Sequence, residues 1–216
     1  MIKFAGVRSS RSSTTKPGGI PVMTKFEVHT HETAPENSKG MLQAAEKAFG
    51  FVPNISAVLA ESPATLKAYL TLSKIFDDSS FSATERQVVI LTINEYNNCH
   101  YCVAAHSAIA AMQGVPGDVV SAIREGRKID DARIEALRSF TRQIVDQRGW
   151  VDEAAVQAFL DAGFQHQQVM EVILGVAMKT ISNYTNHIAQ TPLDEAFEPH
   201  AWQPGAPADT AGQQPA

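Results

Sequence analysis

From Val169 to Tyr184 the apolar residues return at the spacing of one face of an α-helix. Val169, Val172, Ile173, Val176, Ala177, Thr180, Ile181 and Tyr184 step by three and four. No stretch of the chain shows convincing alternation of the kind a half-buried strand needs. A second apolar run, Val88, Val89, Ile90, Leu91 and Ile93, is so dense that period alone leaves buried helix and buried strand both open. Ser82 and Glu85 just before it form the S-x-x-E capping-box pattern, which with its length favours helix.

Start and stop signals divide the rest into helices. Thr30 to Lys39 reads as loop, followed by a helix over 40–49 that Gly50 ends and Val52-Pro53 forbids to continue. Asn54 and Ser62-Pro63 each open another. The second of these carries Leu66, Tyr69, Leu70, Leu72 and Ile75 up to the loop beginning at Asp77. Asn97-Asn98 marks a bend, and the helix that follows from Cys99 runs to Met112, where Gly114 and Pro116 stop it. Further helices are expected over 117–125, 131–148 and 152–162. The fold class is all-α, with one domain over residues 25–202.

The ends read differently. Residues 1–22 contain Ser, Thr, Arg and Lys but no acid, and Met23 opens a more ordinary stretch. We expect 1–24 to be a disordered extension rather than a targeting segment. Residues 203–216, made of Pro, Gly, Ala and Gln with few large apolar groups, are expected to be a disordered tail. A formal net charge of −5 gives no footprint for nucleic acid. No apolar run approaches the roughly 18 residues that span a bilayer. A cytoplasmic location is expected.

The chain has two cysteines, three positions apart. A bridge between such close neighbours closes almost no loop and adds little to fold stability, so a reactive pair is the better reading. A helix turns about 100° per residue, so a helix starting at Cys99 puts Cys102 about 60° and His106 about 20° from it. All three then share one face, and His106 is the i+4 neighbour of Cys102. A helix N-terminus favours thiolate, the nucleophilic form, and a nearby imidazole can take the proton. An oxidised cysteine can close a disulfide with its partner, which an external dithiol then resets. The C-x-x-C spacing alone also fits zinc, with Cys99, Cys102 and His106 as three ligands, but no second C-x-x-C or H-x-x-x-H completes a structural site. No metal or cofactor is expected. His100 projects about 100° from Cys99. Tyr101 is expected to pack inward, Trp150 and Trp202 to serve packing or an interface, and His187 to sit at a helix end.

The stretch from Phe81 to Val89, with Asn98-Cys99-His100-Tyr101-Cys102-Val103-Ala104-Ala105-His106, resembles the alkylhydroperoxidase AhpD-like, or carboxymuconolactone decarboxylase-like, superfamily. Phe49 to Asn54 and Glu61-Ser62-Pro63 resemble its upstream helix junctions. Asn183-Tyr184-Thr185-Asn186-His187 resembles a downstream element of one branch. The resemblance implies packed antiparallel helices, homo-oligomers and thiol-dependent reduction of hydroperoxides. It implies that Cys102 attacks peroxide, that Cys99 resolves, and that His106 accepts or relays the proton. The reductant it implies is an external dithiol, thioredoxin-like or lipoyl. Simple helix-start logic favours Cys99 as the attacking thiol instead.

One departure stands out. The family's relay glutamate falls at Gln87, which exchanges no proton at neutral pH. Glu95, four residues before Cys99, is the candidate replacement; Glu85 is better explained as a cap. Two other readings follow from the same residues: a decarboxylase or lactone-processing enzyme, in a branch that does not depend on the thiol pair, and a non-catalytic oligomeric redox sensor.

Overall fold

The computed structural model describes residues 25–204. The expectations for 1–24 and for the tail beyond Pro204 lie outside that range. Among the described residues the structure is all-α, with no strand. The helices are α1 (Glu36–Phe49), α2 (Asn54–Leu59), α3 (Pro63–Asp77), α4 (Ala83–Tyr96), α5 (His100–Met112), α6 (Gly117–Arg124), α7 (Ala132–Asp146), α8 (Glu153–Asp161) and α9 (His166–Ala189). A 3-10 turn follows at Glu195–His200, which the sequence reading did not anticipate.

Local chemistry explains most of the boundaries. The Ser82 hydroxyl accepts from the Glu85 amide while the Glu85 carboxylate accepts from the Ser82 amide, so the capping box is formed. Ser62 caps α3, with Pro63 in its first turn. Gly50 closes α1 in the left-handed region at φ 81°. The start of α1 is a correction: it lies at Glu36, inside the segment expected to be loop. Ser38, with its hydroxyl donating 2.7 Å to the Ala60 carbonyl, ties that first turn into the interior.

Helix α4 lies at the centre and packs on α5, α6, α7 and α9. Val88 to Ile93 is covered along its whole length, the pattern of a helix buried all round. Two apolar clusters meet there. The larger gathers α4, α6, α7, α8 and the first half of α9, with Phe140, Phe159 and Phe164 stacked in series. The smaller gathers Leu42, Ile55, Leu59, Leu66 and Phe197 around Cys99, Tyr101 and Cys102.

Helix α9 is turned differently from the expectation. Val169 and Val172 are buried, but Ile173 and Tyr184 face outward, 45% and 56% exposed. The buried face is Gln168, Val169, Val172, Gly175, Met178, Lys179, Ser182, Asn183 and Asn186. Gly175 lets the helix approach closely: a Cβ there would lie 2.9 Å from Val89 Cγ1 and 3.1 Å from Phe76 Cε2. The second half of α9 therefore sends polar groups toward the cysteines. No helix among the described residues is long and apolar enough to cross a membrane.

Candidate active site

Three asparagines fix the loop that carries the cysteines. The Asn94 amide donates 3.2 Å to the Cys102 carbonyl and accepts at 3.0 Å from Asn183, whose own oxygen accepts at 2.9 Å from Asn97. The Cys99 amide donates to the Asn94 carbonyl at 2.9 Å, and Asn98 takes φ 51° between them. Asparagine tolerates that left-handed conformation better than most residues. Cys99 is the N-cap of α5, and Cys102 lies in its first turn.

Both thiols are buried, 1% and 2% exposed, and free. Asn186 spans them, with Nδ2 3.7 Å from Cys99 Sγ and 3.2 Å from Cys102 Sγ. Lys179 Nζ lies 3.7 Å from Cys102 Sγ, and Ser182 Oγ lies 3.8 Å from it. Burial pushes the Cys102 thiol up. The hydrogen bond from Cys99 and the Lys179 ammonium overcome that and hold it well below the ordinary cysteine range. Cys99 moves the other way, because it donates to Cys102 and is itself desolvated beside a negative sulfur. The helix start therefore does not make Cys99 the thiolate; the partners of Cys102 outweigh it.

Lys179 is the residue the sequence reading missed. It is 1% exposed. Burial works against its charge, and the Cys102 sulfur outweighs burial, so its pKa lies above the usual lysine value. Tyr69, from α3, faces the same ammonium, and its pKa is pushed up by burial. The signal was present: Lys179 lies seven residues after Val172, about 20° away on the helix wheel.

His106 joins this chain from the far side. It is only partly covered, yet both ring nitrogens pair with buried side chains. Nε2 accepts from Lys179 at 3.2 Å, which leaves the proton on Nδ1 to be donated to Gln87 Oε1 at 3.2 Å. Gln87 Nε2 in turn donates to Gln113 Oε1 at 3.1 Å. Burial and the Lys179 charge hold the imidazole neutral, well below the ordinary histidine value. Among the described residues no hydrogen bond joins His106 to either sulfur; it reaches Cys102 through Lys179.

Gln87, at the position where the resemblance places the relay glutamate, thus stands in hydrogen-bond contact with the histidine. Glu95 does not take over that place. Its carboxylate pairs with Arg142 at 2.8 Å, beside Tyr96 on the α4–α7 surface. The reason is directional: Glu95 is one residue past the buried Asn94 and turns toward α7. Glu85 is held by Ser82 and Arg133, as a cap.

The remaining aromatic residues sort plainly. Tyr101 packs inward, its hydroxyl donating to Asp194 while accepting from the Ile55 amide at 3.2 Å. His100 meets Trp202 edge to face at 5.6 Å. Trp202 is buried, with Nε1 donating 2.8 Å to the Arg124 carbonyl, but Trp150 is 88% exposed and packs no core. His187 lies in the last turn of α9, beside Tyr184. Among the described residues no three His, Cys, Asp or Glu side chains are grouped to hold a metal.

Comparison with known proteins agrees with the fold. Solved structures share the fold. An uncharacterised peroxidase-related protein from Ralstonia eutropha JMP134 with an alkylhydroperoxidase AhpD core is 21% identical, over 81% of this chain and 94% of its own, at a TM-score of 0.72. A peroxidase-related protein from Silicibacter sp. TM1040 is 16% identical, over 86% and 97%, at 0.69. A variant of the debrominase Bmp8, in complex with 2,3,4-tribromopyrrole, is 17% identical, over 83% and 96%, at 0.70. No curated protein sequence matches the chain. Residues 54–142, which hold Cys99, Cys102, His106 and Gln87, match the model of the carboxymuconolactone decarboxylase family, and the chain as a whole has the AhpD-like all-α fold.

Proposed function

We propose that this chain is a thiol-dependent peroxidase that reduces hydroperoxides through Cys102 and Cys99. The observation that carries the reading is the setting of Cys102: a buried sulfur with the Lys179 ammonium 3.7 Å away, the Asn186 amide 3.2 Å away and a second thiol donating to it. That is a stabilised nucleophile with its resolving partner already in contact.

The Cys102 thiolate attacks the distal peroxide oxygen. Sulfur becomes sulfenic acid, and the O–O bond breaks to release an alcohol or water. The Cys99 thiol then attacks that sulfur, expelling water and closing a disulfide. An external dithiol, thioredoxin-like or lipoyl, returns both thiols. Among the described residues Asn186 Oδ1 is buried without a partner, and so it offers an acceptor for the O–H of an incoming hydroperoxide.

The test is hydroperoxide consumption with dithiothreitol, comparing wild type, Cys102→Ser and Cys99→Ser. Loss of turnover in Cys102→Ser, with a single oxidised sulfur accumulating in Cys99→Ser, supports the reading; equal rates in all three sink it. Oxidation that changes assembly without turnover would favour the redox-sensor reading.

The name of the matching family supports a second reading, decarboxylation of a carboxymuconolactone. Turnover of such a lactone that survives thiol alkylation would replace the peroxidase. Because one fold relative is a debrominase, bromide release from 2,3,4-tribromopyrrole belongs in the same assay. Self-association, the expected partnership, is supported by the outward stripe Met170, Ile173, Tyr184 and Ile188 on α9. Light scattering on the reduced protein tests it, a monomer mass being the contrary result.

A further inference from the structure

We propose that Lys179 is the acid of this reaction, its ammonium giving a proton to the oxygen that leaves when Cys102 attacks a hydroperoxide. The inference rests on the peroxidase reading and assigns to Lys179 a role the resemblance gives to a histidine–carboxylate relay.

The neighbours of the sulfur leave few other donors. His106 Nε2 is an acceptor, engaged by Lys179, and its one proton is on Nδ1, committed to Gln87. Gln87 has no proton to exchange. Glu95 is paired with Arg142 at another surface. The Cys99 proton is needed for the resolving step. Tyr69 faces Lys179 and Ser182, and burial holds its proton more tightly than in a free phenol; the Ser182 hydroxyl, 3.8 Å from the sulfur, is a neutral group that does not ionise. Lys179 Nζ, 3.7 Å from the reacting sulfur, is the one cation in contact with it among the described residues.

The charge balance of the step supplies the driving force. Before reaction the buried ammonium is sustained by the thiolate beside it. As the S–O bond forms and the O–O bond breaks, two electrons pass from sulfur to the leaving oxygen. Sulfur becomes a neutral sulfenic acid, and the anion that held the lysine proton is gone. A buried ammonium next to no anion is costly, and so is a buried alkoxide. Proton transfer from one to the other leaves sulfenic acid, alcohol and amine, all neutral. The Cys99 thiol then displaces water from the sulfenic sulfur, with no net change in charge. When an external dithiol reduces the disulfide, the regenerated Cys102 thiol returns its proton to the Lys179 amine, and the ion pair is restored. His106 acts as a positioning residue, its neutral Nε2 holding the ammonium in line.

The test separates acid from counter-ion. Single-turnover oxidation of Cys102 is followed in wild type, Lys179→Arg and Lys179→Met, with each rate expressed per thiolate measured by ultraviolet absorbance. The oxidants are cumene hydroperoxide, whose alkoxide needs a proton to leave, and 3-chloroperbenzoic acid, whose carboxylate does not. Arginine keeps the charge but does not give up its proton. Lys179→Arg is expected to retain thiolate yet react about 100-fold more slowly with the alkyl hydroperoxide, with a far smaller loss on the peracid. Equal slowing on both oxidants would overturn the proposal and leave the peroxidase reading standing. Wild type alone gives a second measurement, independent of whether the variants fold. Its rates across alkyl hydroperoxides and peracids should depend weakly on leaving-group acidity, and a steep dependence overturns the proposal. A wild-type thiol that alkylates with iodoacetamide but reacts with neither oxidant removes the peroxidase reading and this inference with it.

Discussion

Lys179 Nζ stands 3.7 Å from Cys102 Sγ, in a place where neither side chain meets solvent. Each makes the other's charge tolerable. The thiol gives up its proton because an ammonium faces it, and the ammonium keeps its proton because a thiolate faces it. This pairing lowers the Cys102 pKa without a carboxylate–histidine relay.

The second support for that thiolate is Cys99. Its S–H donates to Cys102 and helps hold the Cys102 pKa down. Cys99→Ala removes the donor, so the Cys102 pKa rises and its thiolate persists over less of the acidic range. A hydrogen bond to a charged group is worth about 1.5–3 kcal/mol, or about one to two pKa units. Iodoacetamide should therefore alkylate Cys102 about 10- to 100-fold more slowly at pH values below the thiol pKa. Cys99→Ser, which keeps a donor, should fall between. An alkylation profile unmoved by Cys99→Ala would contradict the contact.

The two halves of the ion pair should differ in what their loss does to stability. Lys179→Met leaves a thiolate that can take up a proton and become a neutral buried thiol, so the cost should be only about 1 kcal/mol. Cys102→Ser leaves an ammonium facing a group that does not ionise. Breaking a buried pair in this way costs about 3 kcal/mol. The double variant should cost less than the sum of the two, because the stranded charge is gone. Urea unfolding under reducing conditions measures all three, and strict additivity would show that the pair does not couple.

His106 makes stability depend on pH. Burial and Lys179 hold its folded pKa well below the unfolded value of about 6.5. Unfolding lets the ring take up a proton below that pH. The stabilising contribution is therefore complete above about pH 6.5 and is lost as pH falls below it, at up to about 1.4 kcal/mol per pH unit. His200, also held down by burial and by Arg124, adds a loss of the same sign. His106→Gln cannot titrate, so its melting temperature should fall less steeply between pH 6.5 and 5 than that of wild type, scanned at these chosen values. Parallel curves would mean that His106 is already protonated in the folded chain.

How far these features can be read from sequence depends on how local their causes are. The Ser82–Glu85 box, the Gly50 stop and the Ser62-Pro63 start are made by residues within one turn of each other, and all appear where expected. Cys99, Cys102 and His106 share one helix for the same reason. The 3-10 turn at Glu195–His200 was not legible because distant partners hold that segment: Phe197 packs on Tyr101, and Asp194 accepts from Tyr101 and from the Asn54 amide. Lys179 was hidden by its type. A lysine in a helix ordinarily reads as solvent-facing, and what permits its burial is a sulfur 77 positions away in the chain. Glu95 misled in the opposite sense. Its spacing to Cys99 was right, but the next buried position on α4 is Asn94, and Glu95 looks toward Arg142.

Restoring the missing carboxylate offers a direct check on where the site keeps its positive charge. In Gln87→Glu a carboxylate would accept from His106 Nδ1 and, by opposite charge, raise the imidazole pKa. A protonated His106 could no longer accept from Lys179, and two cations 3.2 Å apart would repel. The imidazolium and the ammonium would then compete for a single positive charge, with the proton lost from whichever is less well paired. The expected result is a His106 pKa raised by one to two units in the nuclear magnetic resonance titration of its ring protons, a shift worth about 1.4–3 kcal/mol. Lys179 should become easier to deprotonate in the same variant, and the Cys102 alkylation profile should move toward higher pH as its counter-ion weakens. A raised His106 pKa with an unmoved Cys102 profile would show that the histidine can take the charge without loss to the thiolate. An unmoved His106 pKa would show that position 87 does not act on the ring electrostatically at all.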